Sequence, residues 1–451
     1  MKIVGIDIGT TSLSFVIMDT EDGILQKRLT VKNNAFITAA KPYENIQDPE
    51  QIWILVKQVM EAWNLEKENI RGIGLTGQMH GILYVDAQGH AVSPLYTWQD
   101  ASGEQLYQNG KTYVQQLSDL TGYALATGFG AVTYYVHQVT GTVPAEAVSF
   151  CTIMDYIGMK LTGRKTPLTD ATNAASLGLF DLEHLNFDRA EIEKAGLMYE
   201  MFPAVTIERS VLGYTSQGIP VITAIGDNQA SFLGAVKSRE KSILVNVGTG
   251  SQISFMVPSY MEITGMETRP FVDSQYLLVN SSLCGGRAYA LLADFFQRII
   301  KGFAEYTNMP YEADKDMIYG WMNELLDKHF ESIQKDKHRI EIFPVFSGTR
   351  SDPSVRGSVT GIGISSIVPE MFIYGMLEGI VGELYHAFDL CGQNCKSGKE
   401  FLVGSGNGIR KNPHLQKLFE NAFGLPLVLS ENEEEAACGA AISRQQERQK
   451  T

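Results

Sequence analysis

The apolar and polar positions open on three strand-like phrases. Residues 3–8 are apolar, Gly9-Thr10-Thr11-Ser12 turns, 13–18 are apolar again, and Asp22-Gly23 precedes a third run over 24–31; this predicts an antiparallel meander. About half a chain length later the phrase returns, with strands expected over 242–247 and 252–256 on either side of Gly248-Thr249-Gly250-Ser251. A repeat at that spacing predicts a duplicated domain and not a solenoid. After each meander the pattern alternates between helix and strand. Helices are predicted over 49–63, 112–120, 131–139, 151–161 and 229–236, with strands over 70–75 and 221–224. In the second half helices are predicted over 288–303, 317–326, 368–390, 413–422 and 434–443, with strands over 401–403 and 426–429. Each half therefore reads as α/β with a mixed sheet, and the charged stretch 237–241 divides the chain into domains 1–238 and 239–451.

Composition narrows the class of partner. The chain has 451 residues, 44% hydrophobic and 20% charged, enough for two sizeable cores without disulfides. Its formal charge of −14 repels phosphate backbones and anionic lipid, so neither nucleic acid nor a membrane is an expected partner. Cys151, Cys284, Cys391, Cys395 and Cys438 are too scattered for a disulfide framework and have no zinc-site spacing. The N-terminus enters a strand pattern at once, and no run of 18 apolar residues follows, so a cytoplasmic protein is expected.

Candidate chemistry gathers at the turns. Asp7 stands at a strand end beside a turn rich in N–H and hydroxyl donors, where a carboxylate can hold hydrated Mg²⁺ near phosphates. The plain alternative is an Asp that caps its own turn. The second copy favours the phosphate reading, because two related loops facing a cleft suit a nucleotide; Asn246 there replaces the carboxylate. Gly158 to Thr166 resembles a Walker loop, but Arg164 stands where the Lys should be and a helix precedes it. Gly404-Ser405-Gly406-Asn407-Gly408 misses the dinucleotide spacing, yet its glycines let a nucleotide lie against the backbone. Asp227, between a strand and a small-residue helix, is either a helix N-cap or a base that accepts a hydroxyl proton; its place near the domain junction favours the base. Gln78-Met79-His80 and Trp98-Gln99-Asp100 suit a polyol, polar groups bonding hydroxyls while an aromatic face covers C–H surface. The acidic run Glu431 to Glu435 reads most simply as a solvated helix start.

In order and spacing, these motifs resemble the FGGY carbohydrate kinases of the actin-like ATPase superfamily. The resemblance rests on Gly5-Ile-Asp7-Ile-Gly9-Thr-Thr-Ser12, Gly77-Gln-Met-His-Gly81, Trp98-Gln-Asp100, Asp155-Tyr-Ile, Leu161-Thr-Gly163, Gly226-Asp227-Asn-Gln-Ala230, Gly248-Thr-Gly-Ser251, Gly404-Ser-Gly-Asn407 and Glu435-Ala-Ala-Cys-Gly439. It implies two ribonuclease-H-like domains about a cleft and ATP-dependent phosphorylation of a sugar with Mg²⁺. It further implies that Asp227 is the catalytic base and Asp7 a metal-site residue. Thr10, Thr11, Ser12, Gly248, Thr249 and Gly250 would border the phosphates, and Gly404, Ser405 and Asn407 the adenosine. Gln78, Met79, His80, Trp98, Gln99, Asp100 and Asn228 would line the sugar site.

Within the family, Thr97 to Asp100, Thr127 to Ala131, Ser282 to Arg287 and Gly348 to Asp352 look closer to sedoheptulokinases than to xylulokinases, the second choice. Two positions depart from the pattern: Ser102 replaces a frequent Arg, and Ala131-Val-Thr-Tyr134 replaces Lys-Leu-x-Trp. The expected partner is the small sugar, with a homodimer left open. The rival from another class is a non-catalytic actin-like sugar sensor; the negative charge and the lack of a basic DNA-reading module disfavour it.

Overall fold

The computed structural model describes residues 1–442 except 20, 22, 66, 350, 351 and 353. Asp22 of the first meander, Arg350 and Ser351 of the stretch after Gly348, and Ser443 at the end of the last expected helix lie outside the described residues.

Two six-stranded sheets carry the architecture. The first runs, in spatial order, Val211–Tyr214, Pro220–Ile222, Ile70–Gly77, Lys2–Ile8, Ser12–Asp19, Leu25–Lys32. Lys2–Ile8 is antiparallel to Ser12–Asp19 and parallel to Ile70–Gly77, which sets Asp7 opposite Ser14 on one side and Thr76 on the other. The second sheet runs Glu267–Pro270, Tyr276–Ser282, Ser251–Val257, Ser242–Val247, Phe401–Ser405, Leu427–Leu429. Ser242–Val247 again has an antiparallel partner after its turn and a parallel one, Phe401–Ser405, on its other flank. An antiparallel meander followed by parallel strands, present twice, is the ribonuclease-H-like order that the motifs imply. The pattern reading did not anticipate Glu267–Pro270 and Tyr276–Ser282. The first is a polar edge strand with little alternation.

Helix Pro49–Trp63 starts where the Asp48 carboxylate accepts from the N–H groups of Glu50 and Gln51, with Pro at the first turn. Its Ile52, Val56 and Trp63 pack with Ile153, Tyr156 and Ile157 of helix Ile153–Thr162 against one face of the first sheet. Gly163 (φ 74°) ends the latter helix as a left-handed C-cap, so the Walker-like stretch is a helix terminus.

The opposite faces of the sheets are covered by exchange. Helix Glu435–Ile442, from the end of the chain, lies on the first sheet, with Ala437, Cys438 and Ala441 against Ile3, Val16 and Met18. Helix Asp227–Ala235 lies on the second sheet, with Ala230, Phe232 and Leu233 against Leu244, Leu277, Val279 and Val403. The two helices also touch: a Cβ on Gly439 would lie 1.8 Å from the Ala230 carbonyl oxygen, and one on Gly5 would lie 1.9 Å from that of Ala437. Only glycine allows this approach. The pair is thus packed between the two sheets.

Candidate functional site

Asp7 sits on the strand face covered by helix Glu435–Ile442, since it shares that face with Gly5. Burial, reinforced by Asp227 and Glu434, pushes its carboxyl up to about 7. Glu434 reaches this cluster while accepting from the Thr30 hydroxyl at 2.9 Å. The acidic run is solvated at Glu431 and Glu433, as expected, but these residues also pair across to the first half, Glu431 with Lys237 at 2.6 Å and Glu433 with Arg28. Sequence reasoning missed this because a carboxylate's partner across the fold leaves no local signal.

Asp227 is the first residue of its helix, and Gly226 occupies the cap position with no side-chain cap bond. The N-cap reading thus fails, since the cap position belongs to Gly226; the carboxylate accepts from the Asn228 side-chain amide at 2.6 Å and from the Asn228 backbone N–H. Burial raises its pKa, against the lowering effects of Arg269 and the Asn228 hydrogen bonds. An aspartate pushed upward at a helix N-terminus can take a proton more readily than an ordinary one.

The first turn and the two polar loops are physically joined through Thr10. Its hydroxyl donates to Gln78 Oε1 at 3.1 Å and accepts from Trp98 Nε1 at 3.0 Å. Gln47, fully buried, donates to the Thr10 carbonyl at 2.8 Å and accepts from Gln78 Nε2 at 2.8 Å. Trp98 keeps 47% of its surface exposed, while Met79 is buried against Gly226. His80 adopts a left-handed backbone (φ 73°) and stacks on Phe129, ring centroids 4.6 Å apart. Gln99 is exposed. Asp100 faces inward: it is fully buried, its carboxylate accepts from the N–H groups of Asn45 (3.2 Å) and Ser102 (3.0 Å), and burial raises its pKa. Gln47, immediately before the Asp48 cap, was not singled out from the sequence; a neutral amide beside a helix start reads as part of the cap.

Thr11, Gly248 and Thr249 are exposed, and Ser12 and Gly250 half-buried, at the two turns. Behind the second turn the N–H groups of Gly286 and Arg287 donate to the carbonyls of Gly248 and Thr249, each at 2.9 Å, so the start of helix Gly286–Thr307 buttresses it. Asn246, the counterpart of Asp7, donates to Ser405 Oγ at 3.3 Å. The Ser405 hydroxyl in turn donates to Glu435 at 2.6 Å. Gly404 and Ser405 are buried and Asn407 exposed. The halves are thus unequal: one strand end presents a carboxylate, the other an amide bonded to the end of the neighbouring strand.

The described residues contain no group of three His, Cys, Asp or Glu side chains placed to hold a metal. Asp7 alone, with oxygen donors and neighbouring negative charge, fits Mg²⁺, which binds through one or two carboxylates, retained waters and substrate phosphates. A separate cavity of about 330 Å³, lined by Arg339, Glu378, Tyr374 and Tyr385, shares no residue with these loops.

Comparison with known proteins accounts for the doubled arrangement. Residues 2–234 match the FGGY family of carbohydrate kinases, N-terminal domain, and residues 244–443 its C-terminal domain. The chain is 28% identical to sedoheptulokinase from Mus musculus and 27% to that from Homo sapiens, each over 97% of this chain and 96% of the relative. The fold is similar to that of xylulose kinase from Rhodospirillum rubrum, with a TM-score of 0.80 at 19% identity over 98% of this chain and 89% of the other. The two matched domains place the chain in the FGGY family of carbohydrate kinases, with an actin-like ATPase fold and ATP- and Mg²⁺-dependent phosphoryl transfer to a sugar as its activity.

Proposed function

We propose that the sugar is the seven-carbon ketose sedoheptulose, phosphorylated on its terminal primary hydroxyl to sedoheptulose 7-phosphate. The observation that carries this is the similarity to two sedoheptulokinases along nearly the whole of both chains. The loop Thr97-Trp98-Gln99-Asp100 supports it.

In this reading Asp227 accepts the proton of the acceptor hydroxyl as its oxygen bonds to the γ-phosphorus and the bond to the ADP oxygen breaks. Asn228 orients that carboxylate. Gln78, Met79, His80, Trp98, Gln99 and Asp100 shape the acceptor site, Trp98 covering the sugar's C–H surface. Thr10, Thr11, Ser12, Gly248, Thr249 and Gly250 border the phosphates, and Gly404, Ser405 and Asn407 the adenosine. Asp7 would hold Mg²⁺, which when bound neutralises charge on the phosphates. The two domains, 1–238 and 239–451, close on the substrates and exclude water as a competing acceptor. Most of the rate enhancement then comes from positioning. Ser102 and Ala131 to Tyr134 adjust how the far end of the sugar is held. The five cysteines, all free thiols, suit a reducing cytoplasm.

The test is coupled ADP release with Mg²⁺-ATP against sedoheptulose, D-xylulose, D-ribulose, L-ribulose, D-fructose, gluconate and glycerol. The highest kcat/KM is expected for sedoheptulose. A preference for D-xylulose would overturn the substrate and leave the mechanism, whereas silence on every sugar would favour a sugar-sensing role.

A further inference from the structure

One short segment, which no motif above includes, touches both ends of the proposed acceptor site. It comprises the strand end Asp170, helix Ala171–Ala174 and the turn Ala175–Leu177, and its polar side chains Asp170, Thr172, Asn173 and Ser176 are all buried. At one end the Gly226 N–H, directly before Asp227, donates to Thr172 Oγ1 at 3.1 Å. The Thr172 hydroxyl is itself aimed by Asp170 Oδ1, which accepts it at 2.5 Å and the Thr172 N–H at 3.0 Å. Gln229, two residues into the same helix, donates to the Thr172 carbonyl at 3.4 Å and to the Pro270 carbonyl of the second sheet at 2.9 Å. Since no side chain caps the Asp227 helix locally, Thr172 supplies from outside the bond that fixes where the helix begins.

At the other end the His80 N–H donates to Ser176 Oγ at 3.2 Å and His80 Nδ1 bonds the Ser176 carbonyl at 2.7 Å. A carbonyl only accepts, so Nδ1 carries the proton and the ring is held in place through it. Ser176 Oγ donates to the Asn173 carbonyl at 2.7 Å, which orients its lone pairs toward His80. Asn173 is anchored in turn by its amide on Thr152 Oγ1 (2.9 Å), Asp155 Oδ2 (3.2 Å) and Thr169 Oγ1 (3.3 Å). Gly226 has no room to drift: a Cβ there would lie 2.8 Å from Met79 Cε and 2.9 Å from the Thr172 carbonyl oxygen.

We propose that Thr172 and Ser176 are positioning residues which, from one buried segment, set the separation between the base Asp227 and the sugar-site residue His80. The proposal rests on the roles given to those two residues under Proposed function. Neither Thr172 nor Ser176 touches substrate; each acts through the group it holds. Misplacing a base by about 1 Å costs on the order of 10²-fold in rate, so Thr172 acts chiefly on kcat and Ser176 chiefly on the KM for sugar.

The experiment measures kcat and KM for sugar and ATP, with melting temperatures, for Thr172→Val, Thr172→Ser, Ser176→Ala and Asp227→Asn. Thr172→Val is expected to lower kcat about 10- to 100-fold with both KM values within about threefold, and Thr172→Ser to restore most of the loss. Ser176→Ala is expected to raise the sugar KM roughly five- to tenfold, the effect of one lost hydrogen bond, with kcat little changed. Equal impairment by Val and Ser at 172, or losses in kcat and KM that simply track the melting temperature, would overturn the proposal. An inactive Asp227→Asn beside a normal Thr172→Val would remove the positioning role alone, whereas an active Asp227→Asn would remove the base on which it rests.

Discussion

Asp155 is where a single residue's environment becomes measurable. Its Oδ2 accepts from Thr152 at 2.8 Å and from Asn173 at 3.2 Å, while its Oδ1 is buried with no partner among the described residues. Burial pushes the carboxyl up to about 7, against the lowering effect of the nearby Thr152 and Thr169 hydroxyls. A buried acid with one unsatisfied oxygen is more stable protonated. The folded protein therefore keeps a proton that an unfolded Asp, with its ordinary value of 3.8, has released, so stability falls as pH rises between about 4 and about 7. Urea unfolding at several pH values should show a shallower decline in Asp155→Asn than in wild type; equal slopes would mean that Asp155 is ionised in the fold. The sequence made Asp155 visible only as part of a motif, since its partners Thr152, Thr169 and Asn173 are small polar residues that signal nothing until the fold surrounds them. The same holds for Gln47 and Thr172, whereas Asp7 and Asp227 stood out because a carboxylate beside a glycine turn is conspicuous in an apolar setting.

At the scale of elements, the two meanders, helix Pro49–Trp63 and helix Pro369–Leu390 lay close to where the apolar period set them, because each has one clear buried face or a Pro at its start. The helix after Asp227 and the last helix were foreseen as elements but not as an exchanged pair. Both consist largely of Ala, Gly and other small residues and are covered on several sides, so no stripe of larger side chains marks which sheet each one meets. Their contact depends on small size. Gly439→Ala would press a Cβ to 1.8 Å from the Ala230 carbonyl oxygen, a clash that cannot relax cheaply; overpacking of this kind costs about 1–3 kcal/mol or more. Gly302, in the middle of helix Gly286–Thr307, has open space at the same point, and Ala there should stabilise by up to about 1 kcal/mol through helix propensity. Melting curves of the two variants should move in opposite directions. A tolerated Gly439→Ala would contradict the close packing of the exchanged helices.

Across the whole molecule, duplication supplies the frame and divergence supplies the chemistry. Both sheets end in a turn of the same kind, but only the first keeps a carboxylate, Asp7, while Asn246 in the second holds Ser405 in place. Asp227, the proposed base, is on a helix that covers the second sheet and is joined by Gln229 to backbone carbonyls of both halves. The duplication and the order of motifs were readable in one dimension because glycine-rich turns recur at fixed places. The packed pair of helices was not, because it exists only through contacts between residues far apart in sequence. The account stands or falls on Asp227 as the proton acceptor, and the most direct measurement is phosphoryl transfer to sedoheptulose by Asp227→Asn beside wild type, with ATP affinity measured on both. The expected result is a fall in turnover of about 10² or more with ATP affinity little changed, and in wild type an acid limb of kcat/KM above the ordinary aspartate range, as the buried carboxyl requires. Turnover close to wild type in Asp227→Asn would contradict the account.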